Sequence, residues 1–203
     1  MARLKVVPPV FGKVNMEKES LYHIYNQGNN RDHIFYLEKN YIYFLKKVRK
    51  HLLPHLELLA YCLMPNHFHF LAYTKPDFNH EKYLNDLRIM LSSYTRAINK
   101  QESRTGSLFR QNTKTKNISH SSNEQAYGLY CYLYIHQNPL RAMLVERSED
   151  WLYSSYRDYT GMRNGTLCNI KFAVDMLNLP TNAEELIELT DQSIPEHIKN
   201  KII

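Results

Sequence analysis

Large and polar residues alternate over Leu21 to Gln27 (LYHIYNQ), the two-residue period of a strand, and Gly28-Asn29-Asn30 behind it reads as a turn. From Glu38 to Leu53 the period lengthens. Tyr41, Phe44, Leu45, Val48 and Leu52 recur at helical spacing, Lys46, Lys47, Arg49 and Lys50 fill the other faces, and Pro54 stops the helix. Leu56 to Met64 is a second strand, Pro65-Asn66 a turn, and His67 to Tyr73 (HFHFLAY) a third, alternating strand. Glu81 to Lys100 predicts a second helix with Tyr83, Leu84, Leu87, Leu91, Tyr94 and Ile98 along one stripe. Residues 101–122 are polar and basic around a short apolar piece, Leu108-Phe109. A third helix follows over Asn123 to Gln137, then Pro139 and a short helical turn. Strand, helix, strand, strand, helix and a further strand predict an α+β chain. Its sheet is a ferredoxin-like split β-α-β antiparallel sheet with helices on one face. The 203 residues fit one main unit over residues 1–160 and a small helical C-terminal appendage over 161–203. In that appendage Asp175 and the Asn182-Ala-Glu-Glu run are expected helix starts.

Composition removes several classes. No apolar run approaches the roughly 18–20 residues that cross a bilayer, so no membrane partner is expected. Met1 to Glu17 lacks the apolar stretch of a signal peptide. Cys62, Cys131 and Cys168 are odd in number, far apart and without CxxC spacing, which argues against a disulfide scaffold or a zinc ribbon. A reducing, cytoplasmic setting is the expectation. With 26 Lys and Arg against 20 Asp and Glu, the formal charge is +6, which permits a polyanionic partner without requiring one.

His67-Phe68-His69 is the most informative triplet. Side chains two apart on a strand share a face, so both imidazoles can converge on one ion while Phe68 enters the core behind them. Two strand histidines with local hydrogen bonds are the plainer alternative. The surrounding run Leu59 to Leu71 (LAYCLMPNHFHFL) resembles the signature of HUH single-tyrosine transposases, most closely the REP-associated branch. Three further stretches resemble that family in order. They are Tyr22 to Gly28; Ser93-Tyr94-Thr95-Arg96 with Gly106 to Phe109; and Tyr134 to Ala142 (YIHQNPLRA) with Trp151 to Tyr156 (WLYSSY).

The resemblance implies a metal-dependent nicking and rejoining of single-stranded DNA, including hairpin DNA, through a 5′-phosphotyrosine. The divalent ion is Mg²⁺ or Mn²⁺. It implies Tyr134 as nucleophile, His67 and His69 as metal ligands, and a third ligand, Asn or Gln, one helical turn beyond the tyrosine. Asn138 stands there, and a helix places residues four apart side by side. Asn138 also suits an N-cap before Pro139. Tyr127, Tyr130 and Tyr132 share the predicted helix but lack the paired Asn, and His136 points elsewhere on it. A zinc site built from Cys62, His67 and His69 has no motif logic behind it. Relatives include dimers and monomers, so a homodimer and a monomer both stay open. A transposase would be cytoplasmic and nucleoid-associated.

Arg104, Arg110, Lys114 and Lys116 form a basic segment without an acid, next to Phe109, suited to phosphates and to stacking on an unpaired base. A solvated loop is the alternative. Relatives often carry an arginine two residues before the matching Lys114, where this chain has Asn112. Arg141 lies just beyond the tyrosine motif, within reach of a phosphate. Two other readings stay in play: a domesticated relative that binds structured DNA without cutting it, and an RNA-binding ferredoxin-like module. The latter lacks the aromatic RNP pattern on its sheet.

Overall fold

The computed structural model describes residues 15–119, 124–196 and 198–199. Its sheet comprises β1 (Leu21–Gln27), β2 (Leu56–Met64), β3 (His67–Thr74) and β4 (Lys114–Asn117), in the order β2-β3-β1-β4. Every neighbouring pair is antiparallel. This is the expected α+β, ferredoxin-like arrangement. β2 and β3 form a hairpin through Pro65-Asn66, and β1 pairs with β3 from Leu21↔Tyr73 to Gln27↔His67. The further strand, β4, is short and polar, and it pairs with β1 from Tyr22↔Asn117 to Tyr25↔Lys114.

α1 (Glu38–His51) and α2 (His80–Gln101) cover one face, as expected. Asn40 Oδ1 accepts from the Leu37 and Tyr36 N–H groups at the start of α1, and Asn79 Oδ1 accepts from Lys82 N–H at the start of α2. The alternate strand residues Tyr22, Ile24, Phe68 and Phe70 meet Phe44, Val48, Met90 and Tyr94 there. Phe109 is buried in the same core, so it cannot offer its ring to a base. The apolar piece at 108–109 is core, pinned by Asn29 N–H donating to Leu108 O and Arg110 N–H to Gln27 O.

α3 (Glu124–Arg141) lies on the opposite face, so helices pack on both sides of the sheet rather than one. Its expected start at Asn123 lies outside the described residues. Residues 131–139 of this helix are buried without a break, as befits a helix packed on several sides. They lie under the sheet, and α3 also contacts α5 (Ile170–Leu177) and α6 (Ala183–Thr190). Between them α4 (Tyr156–Tyr159) is a single turn. Asn182 caps α6 as expected, whereas α5 is capped by Asn169 and carries Asp175 inside it.

Pro139 does not end the helix. The chain stays helical to Arg141 and ends with Met143 at φ 54, Met143 N–H donating to Leu140 O and Leu144 N–H to Pro139 O. This Schellman-type end overturns the reading of Asn138 as the N-cap of a new turn. The WLYSSY tail runs along the outer edge of β2. Leu63 N–H donates to Tyr153 O, Ser155 N–H to Tyr61 O, and Trp151 Nε1–H to Leu63 O, which covers an otherwise open sheet edge. Among the described residues no helix is long and apolar enough to cross a membrane.

Candidate active site

β3 alternates, so Phe68 and Phe70 face α1 and α2 while His67 and His69 face α3. Tyr134 lies across from them on α3. Its ring is set edge-on at 5.5 Å between centroids from His69, and the His67 and His69 rings are 5.0 Å apart. Residues 65 or more apart in sequence thus share a cavity of about 590 Å³ lined by Tyr25, His67, His69, Arg110, Asn112, Lys114 and Tyr134, among others.

Both imidazoles are held through Nδ1. His67 Nδ1 lies 2.6 Å from Asn66 Oδ1, which fixes the proton on Nδ1 because a carboxamide oxygen only accepts. His69 Nδ1 lies 2.8 Å from His23 Nε2. In each ring Nε2 is left as the second nitrogen. Burial pushes the His67 imidazole down to about 4 against a smaller opposing contribution from Asn138, and holds His69 well below its usual range, with His23 and His67 adding to the effect. Neutral imidazole is the form that binds metal.

Asn138 completes the arrangement. Its Nδ2 donates to Tyr134 O at 2.8 Å, four residues back on the helix, and, against the larger effect of burial, its carboxamide raises the His67 pKa and lowers that of Tyr134. Burial raises the Tyr134 pKa, while the Asn138 hydrogen bond and the nearby Arg141 charge pull it back. The resting side chain is therefore a phenol, 8% exposed. Two imidazole nitrogens with a carboxamide oxygen would make a neutral, mixed donor set, chemically suited to a divalent ion that keeps positions for phosphate oxygens. Among the described residues no group of three or more His, Cys, Asp or Glu could hold a metal, so an ion at this site would need a ligand of another type, such as a carboxamide. Cys62 is the cross-strand partner of His69; burial raises its thiol pKa, and its Sγ lies 3.7 Å from Met64 Sδ.

The basic residues divide. Arg110 and Lys114 line the cavity, and Arg141 acts on Tyr134 from the end of α3. Arg104 sits away from it at the end of α2, with Nη1 3.4 Å from Asn99 Oδ1. Lys116 pairs with His23 across the strands, near Cys131 and Tyr127 of α3, and desolvation lowers its pKa. Tyr132 is fully buried in the α3 core, and His136 is a packing histidine whose Nε2 meets Ser155 Oγ at 2.7 Å. His23 escaped the sequence reading. It sits two residues before Tyr25 on a strand with a clean period of two, but its partner His69 is 46 residues away and no local motif joins them. Asn112 lines the same cavity, and its Oδ1 is buried without a hydrogen-bond partner.

A family model described as IS200-like transposases matches residues 17–131, more than half of the chain. That span includes His67 and His69 and ends three residues before Tyr134. Among solved structures, a REP-associated tyrosine transposase bound to a REP hairpin is similar, with a TM-score of 0.54 and 14% identity over 77% of this chain and 88% of that one. At this identity the likeness concerns the fold. No curated protein sequence matches the chain.

Proposed function

Because this chain belongs to the IS200-like transposase family, we propose that it nicks and rejoins single-stranded DNA through Tyr134. The observation that carries this reading is the meeting of Tyr134, His67 and His69 around one cavity, with Asn138 one helical turn from Tyr134 and tied to its backbone. The Tyr134 oxygen attacks a backbone phosphorus, the bond to O3′ breaks, and the phenol proton ends on the released 3′ oxygen. The product is a 5′-phosphotyrosine, and attack by a 3′-OH reverses the step without ATP because the phosphoryl bond energy is kept. His67, His69 and Asn138 would hold a divalent ion, which supplies charge to polarise the scissile phosphate. Mn²⁺ suits a donor set with two imidazoles better than Mg²⁺.

Arg110 and Lys114 neutralise the DNA backbone within the cavity, and Arg141 stabilises the phenolate as it forms. Asn112 gives up the charge of an arginine and offers a carboxamide, which suits a base edge better than a phosphate. The REP hairpin held by the similar solved structure makes a stem-loop with a single-stranded flank the first substrate to try.

The test mixes the protein with labelled hairpin DNA and Mn²⁺ or Mg²⁺ and looks for an adduct that survives a denaturing gel. Tyr134→Phe should lose the adduct and keep DNA binding, since only the nucleophilic oxygen is removed. An adduct that persists in the variant refutes the assignment. Tight binding by the wild type without any adduct would instead support a DNA binder that does not cut.

A further inference from the structure

His23 is fully buried on β1, on the cavity side of the sheet, and nothing in the nicking step uses it. Its ring stacks on Tyr25 at 4.7 Å and on His69 at 5.0 Å between centroids, and Tyr25 stacks on His69 at 5.6 Å. The three rings hold one another from a single sheet face. Within this stack His23 Nε2 lies 2.8 Å from His69 Nδ1.

Two imidazole nitrogens at that distance share one proton, and the chemistry of a metal ligand decides where it lies. If His69 offers the Nε2 lone pair to a cation as a neutral ring, its proton must be on Nδ1. Nδ1–H then donates, and His23 Nε2 accepts. We propose that His23 is a positioning residue for the metal site, fixing the tautomer and ring plane of His69 through this hydrogen bond. A metal-bound histidine commonly donates its second N–H to a carboxylate or a carbonyl, and that outer partner tunes the metal. Here the acceptor is a neutral imidazole within the sheet. It orients the ligand without adding negative charge, so the ion keeps its full polarising power for phosphate. Asn66 Oδ1 serves His67 in the same way from the hairpin turn, so both ligands have a neutral acceptor behind them.

This inference rests on the metal-site reading above, and titration of the purified, metal-free protein with Mn²⁺ separates the two. His23→Gln places a carboxamide oxygen near the lost Nε2 and should bind Mn²⁺ within about threefold of wild type. His23→Leu keeps the bulk but cannot accept, and should bind about 10–100-fold more weakly with its thermal midpoint recorded alongside. Equal affinity in wild type and His23→Leu overturns the positioning role while leaving the metal site intact. Absence of Mn²⁺ binding by the wild type overturns the metal site and this role together. Nitrogen-15 spectra of the wild-type histidines need no variant that folds: His69 must appear as the Nδ1–H tautomer, and an Nε2–H tautomer would falsify the assignment.

Discussion

The two faces of the sheet are made by the same strands and do opposite things. On β1 and β3, Tyr22, Ile24, Phe68 and Phe70 turn toward α1 and α2 into an aromatic core, and His23, Tyr25, His67 and His69 turn toward α3. Strand alternation alone separates them, since neighbouring residues on one strand point to opposite sides. The first face is buried and densely packed. The second is a mixed surface in which buried imidazoles stay neutral and a cavity is left open. Stability and chemistry thus reside in adjacent side chains, a single residue apart, and the sheet keeps them from interfering.

That separation is open to direct attack. Phe68→Ala should cost about 3–5 kcal/mol of unfolding free energy in urea, because it empties a fully buried aromatic site. Its neighbour His67→Ala should cost about 1 kcal/mol while abolishing metal-dependent adduct formation. Equal stability losses at 67 and 68 would break the division between faces.

Gly128 on α3 touches the boundary. A Cβ there would come within 2.6 Å of Leu177 Cδ2 and 2.9 Å of Leu21 Cδ2. Gly128→Ala should cost about 1–3 kcal/mol by overpacking. It should also lower adduct formation by about 10–100-fold, since small misplacements of a reacting group are expensive. Full activity in a measurably destabilised variant would show that the α3 seat tolerates slack.

Acid should act through the α3 side. His136 is buried, its Nδ1 has no partner, and burial pushes its pKa down to about 3, against about 6.5 for an unfolded histidine. Its contribution is fully present above pH 6.5 and declines as pH falls toward 3, because the unfolded chain takes up a proton that the fold refuses. From pH 6.5 to 5 this amounts to about 2 kcal/mol. Urea titrations of His136→Gln should show a shallower pH slope than wild type; identical slopes would exclude His136 as a source.

The smallest effects concern charge. Arg110→Ala should reduce the magnitude of the log K against log salt slope for single-stranded DNA by about 0.7. Lys46→Ala and Lys50→Ala, on the exposed face of α1, should leave that slope unchanged. A change at Lys46 equal to that at Arg110 would place DNA on the wrong side of the sheet.

Much of this layout was legible from local periods. The alternation at 21–27 and 67–73 announces strands with two distinct faces, and once the family resemblance singles out Tyr134, one helical turn sets Asn138 beside it. What escaped notice depended on contacts distant in sequence. β4 is Lys-Thr-Lys-Asn, a short edge strand with no apolar alternation to reveal its position. Phe109 sits amid polar residues yet is drawn into the core by the backbone of β1 and the turn after it. Pro139 reads as a stop but lies in the last turn of α3, where the lost N–H breaks only the final stretch of hydrogen bonding. The face covered by α3 could not be assigned from the helix itself, since a helix buried on several sides has no strong polar stripe.

The hydrogen bond from Asn138 Nδ2 to Tyr134 O makes the proposed nucleophile and the proposed third ligand parts of one rigid piece. His67 and His69 belong to another, the strand. The site is therefore assembled from two bodies rather than four independent side chains, and its alignment reduces to one relative coordinate, the seating of helix on sheet. Sliding or tilting α3 moves the attacking oxygen and the carboxamide together, so the spacing within that pair survives while the distance to the imidazoles changes. Such a machine fails in one mode. Errors that would scatter four separate residues here become a single offset, and a compensating change anywhere along that seat can correct it.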